Sequence, residues 1–405
     1  MPAPSPADLD RDLAAFFATD FAAPPDESAF GRLALRLFAH QYEALAPYRA
    51  YCQRRGALPQ RLRHWSEIPA VPVQAFRDAR LLGEEAGAEP EPARIFRTSG
   101  TTTDGTRPGE HLLSASALAL YHASSVPTFR AFVLPELAVG AKTTLLQLVL
   151  GPKAAEAPHS SLWHMVDFVL SELFTEPARH FLGAGALAGP GAAALDAEGL
   201  VRACDAAAKA RRPVCLFATD VALDRFLTQV ATGGWTVRLP AGSRAMHTGG
   251  AKGRRRAVDS EALYARLETI LGIPPSACVN EYGMTELTSQ FYDGTLRLAG
   301  RGESESPPRV KLAPPWVRAL VVDTHTLEPL LPGQPGLLRV LDLANRGSVA
   351  AILAEDRAVA CEPAGSTGAG AGLAGPHPRA LPFRLLGRAQ GSEARGCSLD
   401  AEVFA

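Results

Sequence analysis

The sequence predicts a large α/β core with a smaller β subdomain behind it. Strand and helix signals alternate through the middle of the chain, from Thr143 to Asn280, the pattern of a sheet with helical crossovers. From Val317 to Leu353 strand signals follow one another with no helix between them. Ahead of both lies Arg97–Arg107, a stretch of hydroxyl side chains and glycine that has no face to pack against a core.

Each element follows from its pattern. Residues 7–54 read as helical: Leu9, Leu13, Phe16 and Phe17 keep helical spacing, and a second helix is expected from Ser28 to about Arg54, with Phe30, Leu33, Leu37, Tyr42 and Leu45 on one side. Ile68–Val73 is proline-punctuated and extended. Ile95–Arg97 is a short strand delivering the hydroxyl-rich loop. Ser114 to Phe132 is a helix with a candidate break at Pro127. Thr143–Leu150 is a buried strand, and His164, a little beyond it, is read as an interior histidine rather than a substrate contact. A helix over Ala197–Ala210, a strand over Val214–Thr219, a helix over Asp220–Val230 and a strand over Arg244–Thr248 follow. The helix over 259–271 has Asp259 or Ser260 as cap and Gly272 as stop. Cys278–Asn280, Val317–Val322, Gly336–Leu343 and Val349–Leu353 are strands, and Gly365–Gly375 is expected to be a flexible loop.

The bulk properties narrow the function classes. The 405 residues are 47% hydrophobic and 20% charged, with a formal net charge of −1, so bulk electrostatics give no reason to expect nucleic acid as a partner. No apolar run is long enough to span a bilayer, so no membrane association is expected. Met1–Pro6 lacks a basic start and an apolar core, so it is not read as a signal peptide. The six cysteines are scattered with no C-x-x-C pair, which argues against a zinc site or a disulfide framework. A cytoplasmic protein with reduced thiols is expected.

Between Thr98 and Thr103, five of six side chains carry a hydroxyl, and Gly100 and Gly105 loosen the backbone. Hydroxyls and turned backbone N–H groups are donors that suit a phosphate chain. The same composition also makes an ordinary surface turn. Neither the Walker pattern nor the dinucleotide fingerprint is present.

Further stretches change the reading. Thr98-Ser99-Gly100-Thr101-Thr102, then Gly249-Gly250-Ala251, then Tyr282-Gly283-Met284-Thr285-Glu286, then Glu355-Asp356, then Gly387-Arg388 stand in an order and spacing that resembles the adenylate-forming ligases. Asp342–Asn345, Ala354–Asp356 and the C-terminal Gly387–Cys397 resemble more particularly the acyl-protein synthetases, the LuxE-like family, from about Ile68 onward. The resemblance implies the adenylate-forming large-domain fold: two packed sheets with helices, plus a smaller β subdomain. It places the core at 1–386 and, at 387–405, a short tail in place of the usual mobile C-terminal domain. It also implies a reaction in which a carboxylic acid, fatty or aromatic, attacks ATP and the acyl-adenylate is intercepted by a thiol.

Carried over by residue, Thr98, Ser99, Gly100, Thr101 and Thr102 would hold the β- and γ-phosphates. Gly249, Gly250 and Ala251 would form the wall between adenosine and acyl pocket. Tyr282 would stack on adenine, Thr285 would donate to the α-phosphate, and Glu286 would hold Mg²⁺. Asp356 would bind the ribose hydroxyls, and Arg388 ribose or phosphate. The family's loop lysine has no counterpart; Arg107-Pro108 stands near its place. In the LuxE-like family a cysteine near the C-terminus becomes acylated and passes the chain to a reductase partner. Cys397, beside Arg395, would fill that role. A ligase that acylates coenzyme A or a carrier protein directly, and a catalytically weak nucleotide-binding subunit, are the alternatives. The other cysteines, Cys52 least clearly, read as core residues.

Overall fold

The computed structural model describes residues 6–21, 23–83, 91–98, 107–183, 195–249, 259–299, 309–362 and 377–389. The chain divides into two compact units, one formed by Met1–Pro127, Gly283–Phe291 and Val310–Ala405, the other by Thr128–Tyr282 and Tyr292–Arg309.

The first unit opens with helices. α1 spans Pro6–Phe17 and α2 spans Glu27–Ala44, whose cap Asp26 accepts from the Ala29 N–H. The expected single helix to Arg54 is in fact two. Leu45 is extended (φ −116°, ψ 93°), and α3, Ala46–Arg54, starts afresh with Pro47 in its first turn, where a missing N–H costs nothing. After β1 (Val71–Pro72) and the one-turn α4 (Ala75–Asp78), β2 (Arg94–Arg97) pairs antiparallel with β3 (Glu110–Leu113). α5 then runs Ala115–Val133 without breaking at Pro127. The hydroxyls of Ser124 and Ser125 both donate to the Tyr121 carbonyl one turn earlier.

The second unit is a parallel sheet with crossovers. β4 (Leu146–Leu150), α6 (Ser161–Leu173), β5 (Arg179–His180), α7 (Ala197–Lys209), β6 (Val214–Thr219), α8 (Asp220–Thr232), β7 (Arg244–Thr248), α9 (Ser260–Leu271) and β8 (Cys278–Tyr282) follow in turn. The pairs β5–β4, β4–β6, β6–β7 and β7–β8 are all parallel. Both faces are covered, so β6 and β7 are almost continuously buried. Side-chain caps start the helices: Ser160 for α6, Asp196 for α7, Thr219 for α8 and Asp259 for α9. Gly272 stops α9 in the left-handed conformation, φ +74°. Leu200, Leu223, Phe226, Leu227, Leu263 and Leu267 form part of the core between helices and sheet. His164 lies half-buried on α6. β9 (Phe291–Asp293) and the short α10 (Thr295–Ala299) close this stretch.

The remaining strands belong to the first unit: β10 (Lys311–Leu312), β11 (Val317–Val322), β12 (Pro335–Asp342), β13 (Ala351–Ala360) and β14 (Phe383–Arg388). They lie in the order β11-β12-β13-β14-β10, each neighbouring pair antiparallel, and β1 adds to β13 in parallel. β13 is longer than its sequence pattern suggested, because it continues past Leu353 to pair with β14. The N-terminal helices pack on this meander. Phe17 meets Trp316 at 5.0 Å between centroids, and Arg318 sits over the Phe30 ring at 3.9 Å. Gln41 of α2 donates to the Asn345 carbonyl (2.7 Å) and accepts from the Ala350 N–H (3.0 Å).

Candidate active site

Several of the expected site residues fall in the first unit. Thr98 directly follows β2. Its N–H donates to the Gly109 carbonyl (3.0 Å), and its hydroxyl accepts from the Gly109 N–H (2.9 Å). These two bonds close the mouth of the β2–β3 hairpin, so part of Thr98's hydrogen-bonding capacity is structural. Ser99, Gly100, Thr101 and Thr102 lie outside the described residues, as do Gly250, Ala251 and Cys397.

Thr285 and Glu286 follow β8 in a tight turn, in which the Leu287 N–H reaches the Met284 carbonyl at 3.2 Å. Thr285 is half-buried and Glu286 buried. The backbone of this turn is held by side chains that the sequence reading did not single out for the site. His111, fully buried on β3, places Nδ1 2.8 Å from the Thr285 carbonyl oxygen and Nε2 3.0 Å from Asn345 Oδ1. Asn345 spends both amide protons on the carbonyls of Glu286 and Val349, each at 2.9 Å. Burial pushes the His111 imidazole down to about 4, against these two hydrogen bonds, which favour the charged form. Just beyond, Asp342 accepts from the N–H groups of Thr288, Ser289 and Ala344 and from the Ser289 hydroxyl. Burial raises its carboxyl above the usual range in spite of those donors.

Asp356 and Arg388 are brought together. They are directly opposite on β13 and β14. Asp356 is buried, whereas the Arg388 side chain is about half exposed (49%), with Nη1 3.7 Å from Glu355. Glu355 in turn accepts from Gln74. The arrangement leaves a guanidinium at the surface beside the half-buried Glu355 carboxylate, with Asp356 on the same rung of the ladder.

In the second unit, β7 delivers His247, Thr248 and Gly249, and the neighbouring β8 delivers Glu281 and Tyr282 in parallel register. Thr248 donates its hydroxyl to the Glu281 carboxylate. His247 is fully buried; Nδ1 lies 2.6 Å from Asp220 Oδ1 and Nε2 3.0 Å from the Tyr264 hydroxyl. Gly249 is steric in origin: a Cβ there would stand 2.7 Å from Asp220 Cγ. Tyr282 is 6% exposed at the end of β8.

The thiols separate into two kinds. Burial pushes Cys52, Cys204, Cys215 and Cys278 up to about 12, which makes them poor nucleophiles near neutrality. Cys52 is thereby a core residue. Cys361, expected in the core, is half-buried just after β13.

Among the described residues no cluster of three or more His, Cys, Asp or Glu could hold a metal ion. Mg²⁺ carried on nucleotide phosphates needs only one or two carboxylates, and a single buried Glu286 fits that mode. No described helix is long and apolar enough to cross a membrane.

The fold is that of the adenylate-forming ligases. The chain superposes on 2-hydroxyisobutyryl-CoA ligase in an open conformation with 2-HIB-AMP and CoA at TM-score 0.57 and 13% identity, covering 89% of this chain and 75% of that one. The postadenylation state with 2-HIB-AMP gives 0.58 and 13%, covering 89% and 67%. The thioesterification state with 2-HIB-AMP and CoA gives 0.58 and 14%, covering 95% and 69%. A comparison with curated protein sequences finds no match. The family model for acyl-protein synthetase, LuxE, matches residues 19–403. The chain belongs to that family.

Proposed function

We propose that this protein is an ATP-dependent acyl-protein synthetase of the cytoplasm. It activates a fatty or aromatic carboxylic acid and hands the acyl group to a protein thiol. The observation that carries the reading is the family match over residues 19–403, a span that includes every site residue named above. The cross-strand placement of Asp356 and Arg388 supports it.

In the first half-reaction a carboxylate oxygen of the acid bonds to the α-phosphorus of ATP, and the bond from that phosphorus to the bridging oxygen breaks, releasing pyrophosphate. Thr98–Thr102 hold the β- and γ-phosphates, Thr285 donates to the α-phosphate, and Asp356 and Arg388 hold the ribose and a phosphate oxygen. Tyr282 covers the adenine, and Gly249–Ala251 keep the wall beside it free of side chains. Glu286 would hold Mg²⁺, which supplies positive charge to the phosphates when bound. In the second half-reaction a thiolate attacks the acyl carbon and AMP leaves with the electron pair of the broken anhydride bond. With four thiols pushed up to about 12 by burial, Cys397 is the proposed acceptor. A reductase or carrier protein then takes the acyl group.

The test is intact-protein mass spectrometry after incubation with ATP, Mg²⁺ and a panel of fatty and aromatic acids, with wild type and Cys397→Ser side by side. The expected result is an acyl mass that needs ATP and is lost in the variant. Acyl-adenylate with no covalent adduct would favour direct transfer to coenzyme A, a reading that the fold shared with a CoA ligase keeps in view. Absence of both products with every acid would point to a non-catalytic nucleotide-binding subunit.

A further inference from the structure

His111 has no part in the scheme above, yet its surroundings are built with care. It is fully buried on a strand whose next two residues, Leu112 and Leu113, are apolar and buried. A side chain needed there only to fill space would be apolar, because each buried polar atom costs about 1–3 kcal/mol when it goes unbonded. Both ring nitrogens face acceptors, the Thr285 carbonyl and Asn345 Oδ1; the neutral ring has one proton to give, and on Nδ1 it donates to the Thr285 carbonyl. Asn345 closes the circuit by donating to the Glu286 carbonyl, 2.9 Å away. Two successive carbonyls of the turn are thus gripped, that of Thr285 by His111 and that of Glu286 by Asn345, whose Oδ1 lies 3.0 Å from His111 Nε2. Gln41, bonded to the Asn345 carbonyl, backs the second of them. The other end of the linkage is covalent: His111 lies two residues past Gly109, whose pairing with Thr98 closes the hydroxyl loop's hairpin.

We propose that His111 is a positioning residue that ties the Thr285–Glu286 turn to the hairpin carrying the hydroxyl-rich loop, with Asn345 as the second clamp. The Thr285–Glu286 turn and the Thr98–Gly109 mouth of the hairpin then hold one geometry before nucleotide arrives. This rests on the reading of Thr285, Glu286 and the loop as nucleotide-binding.

Three variants and two readouts test it. His111→Asn keeps a donor near the Nδ1 position, His111→Leu keeps none, and Asn345→Ala removes the second clamp. Backbone amide exchange over residues 283–291 in the ligand-free protein reads the grip itself. Calorimetry with MgATP reads its consequence. His111→Leu and Asn345→Ala are expected to speed exchange over 283–291 while α2 and β12 keep their protection. They should weaken MgATP binding about tenfold or more, the scale of one or two lost buried hydrogen bonds. His111→Asn should recover part of both effects, which a space-filling role would not produce. Unchanged exchange and affinity in His111→Leu would overturn the proposal, as would a His111→Asn protein no better than the leucine variant. Should the leucine variant fail to fold, unchanged exchange in both His111→Asn and Asn345→Ala overturns it equally. A wild type that binds no MgATP would sink the nucleotide reading instead, and the exchange arm would still decide whether His111 grips the turn.

Discussion

At position 249 both the backbone, at φ +156°, and a neighbour disfavour a side chain. Asp220 stands where a Cβ would go, 2.7 Å from its Cγ, and cannot easily retreat because His247 holds its Oδ1 at 2.6 Å. Gly249→Ala is therefore expected to lose about 1–3 kcal/mol, the usual cost of overpacking, as read by denaturant unfolding. Adding Asp220→Ser should return part of that loss. An alanine variant as stable as wild type would show that Asp220 is not the obstacle. That this glycine is singled out was legible in the sequence, from its place in Gly249-Gly250-Ala251. The cause was not, because Asp220 belongs to an earlier helix and only parallel pairing of β6 with β7 brings the two side by side. His111 was missed for a related reason. A single histidine in a short strand carries no periodic signal, and its partners Thr285 and Asn345 are remote in the chain.

Helices with local start and stop signals were legible as elements. α9 is the clearest, with Gly272 where a stop was expected and Asp259 settled as the cap by its bonds to the Glu261 and Ala262 N–H groups. Asp259→Ala is expected to cost about 1 kcal/mol, measured as a shift in the unfolding midpoint. An Asp259→Asn protein should stay close to wild type. Equal stability of the alanine and wild-type proteins would mean that packing of Leu263 and Leu267 alone holds the helix end. Elements defined by distant partners were harder to see. β3 has only four residues and exists through pairing with β2, and β14 exists through pairing with β13. α6 lay hidden because its mixed run, Ser161–Leu173, follows a strand without a glycine or proline stop of its own at either end.

On the scale of the whole chain, the α/β middle and the β-rich later part were legible because each depends on patterns within a few tens of residues. The division into units was not. One unit takes its pieces from three separate stretches, whereas the other is interrupted only by Gly283–Phe291. During synthesis this difference becomes a difference in time. The Gln41–Asn345 bond joins residues 304 positions apart, which at the usual rate of elongation is a delay of roughly 15 to 60 s. For that interval the apolar faces of α1 and α2, with Phe17, Phe30 and Phe38, have emerged without the strands that will cover them. The parallel sheet at 128–309 has its partners much sooner. Ribosome-arrested chains ending near residue 340 should therefore resist brief proteolysis within 128–282 while 1–127 is still cut. The reverse order of protection would refute this sequence of events. The helices translated first would thus be the last to be sheltered, which makes them the natural client of a chaperone at the exit tunnel.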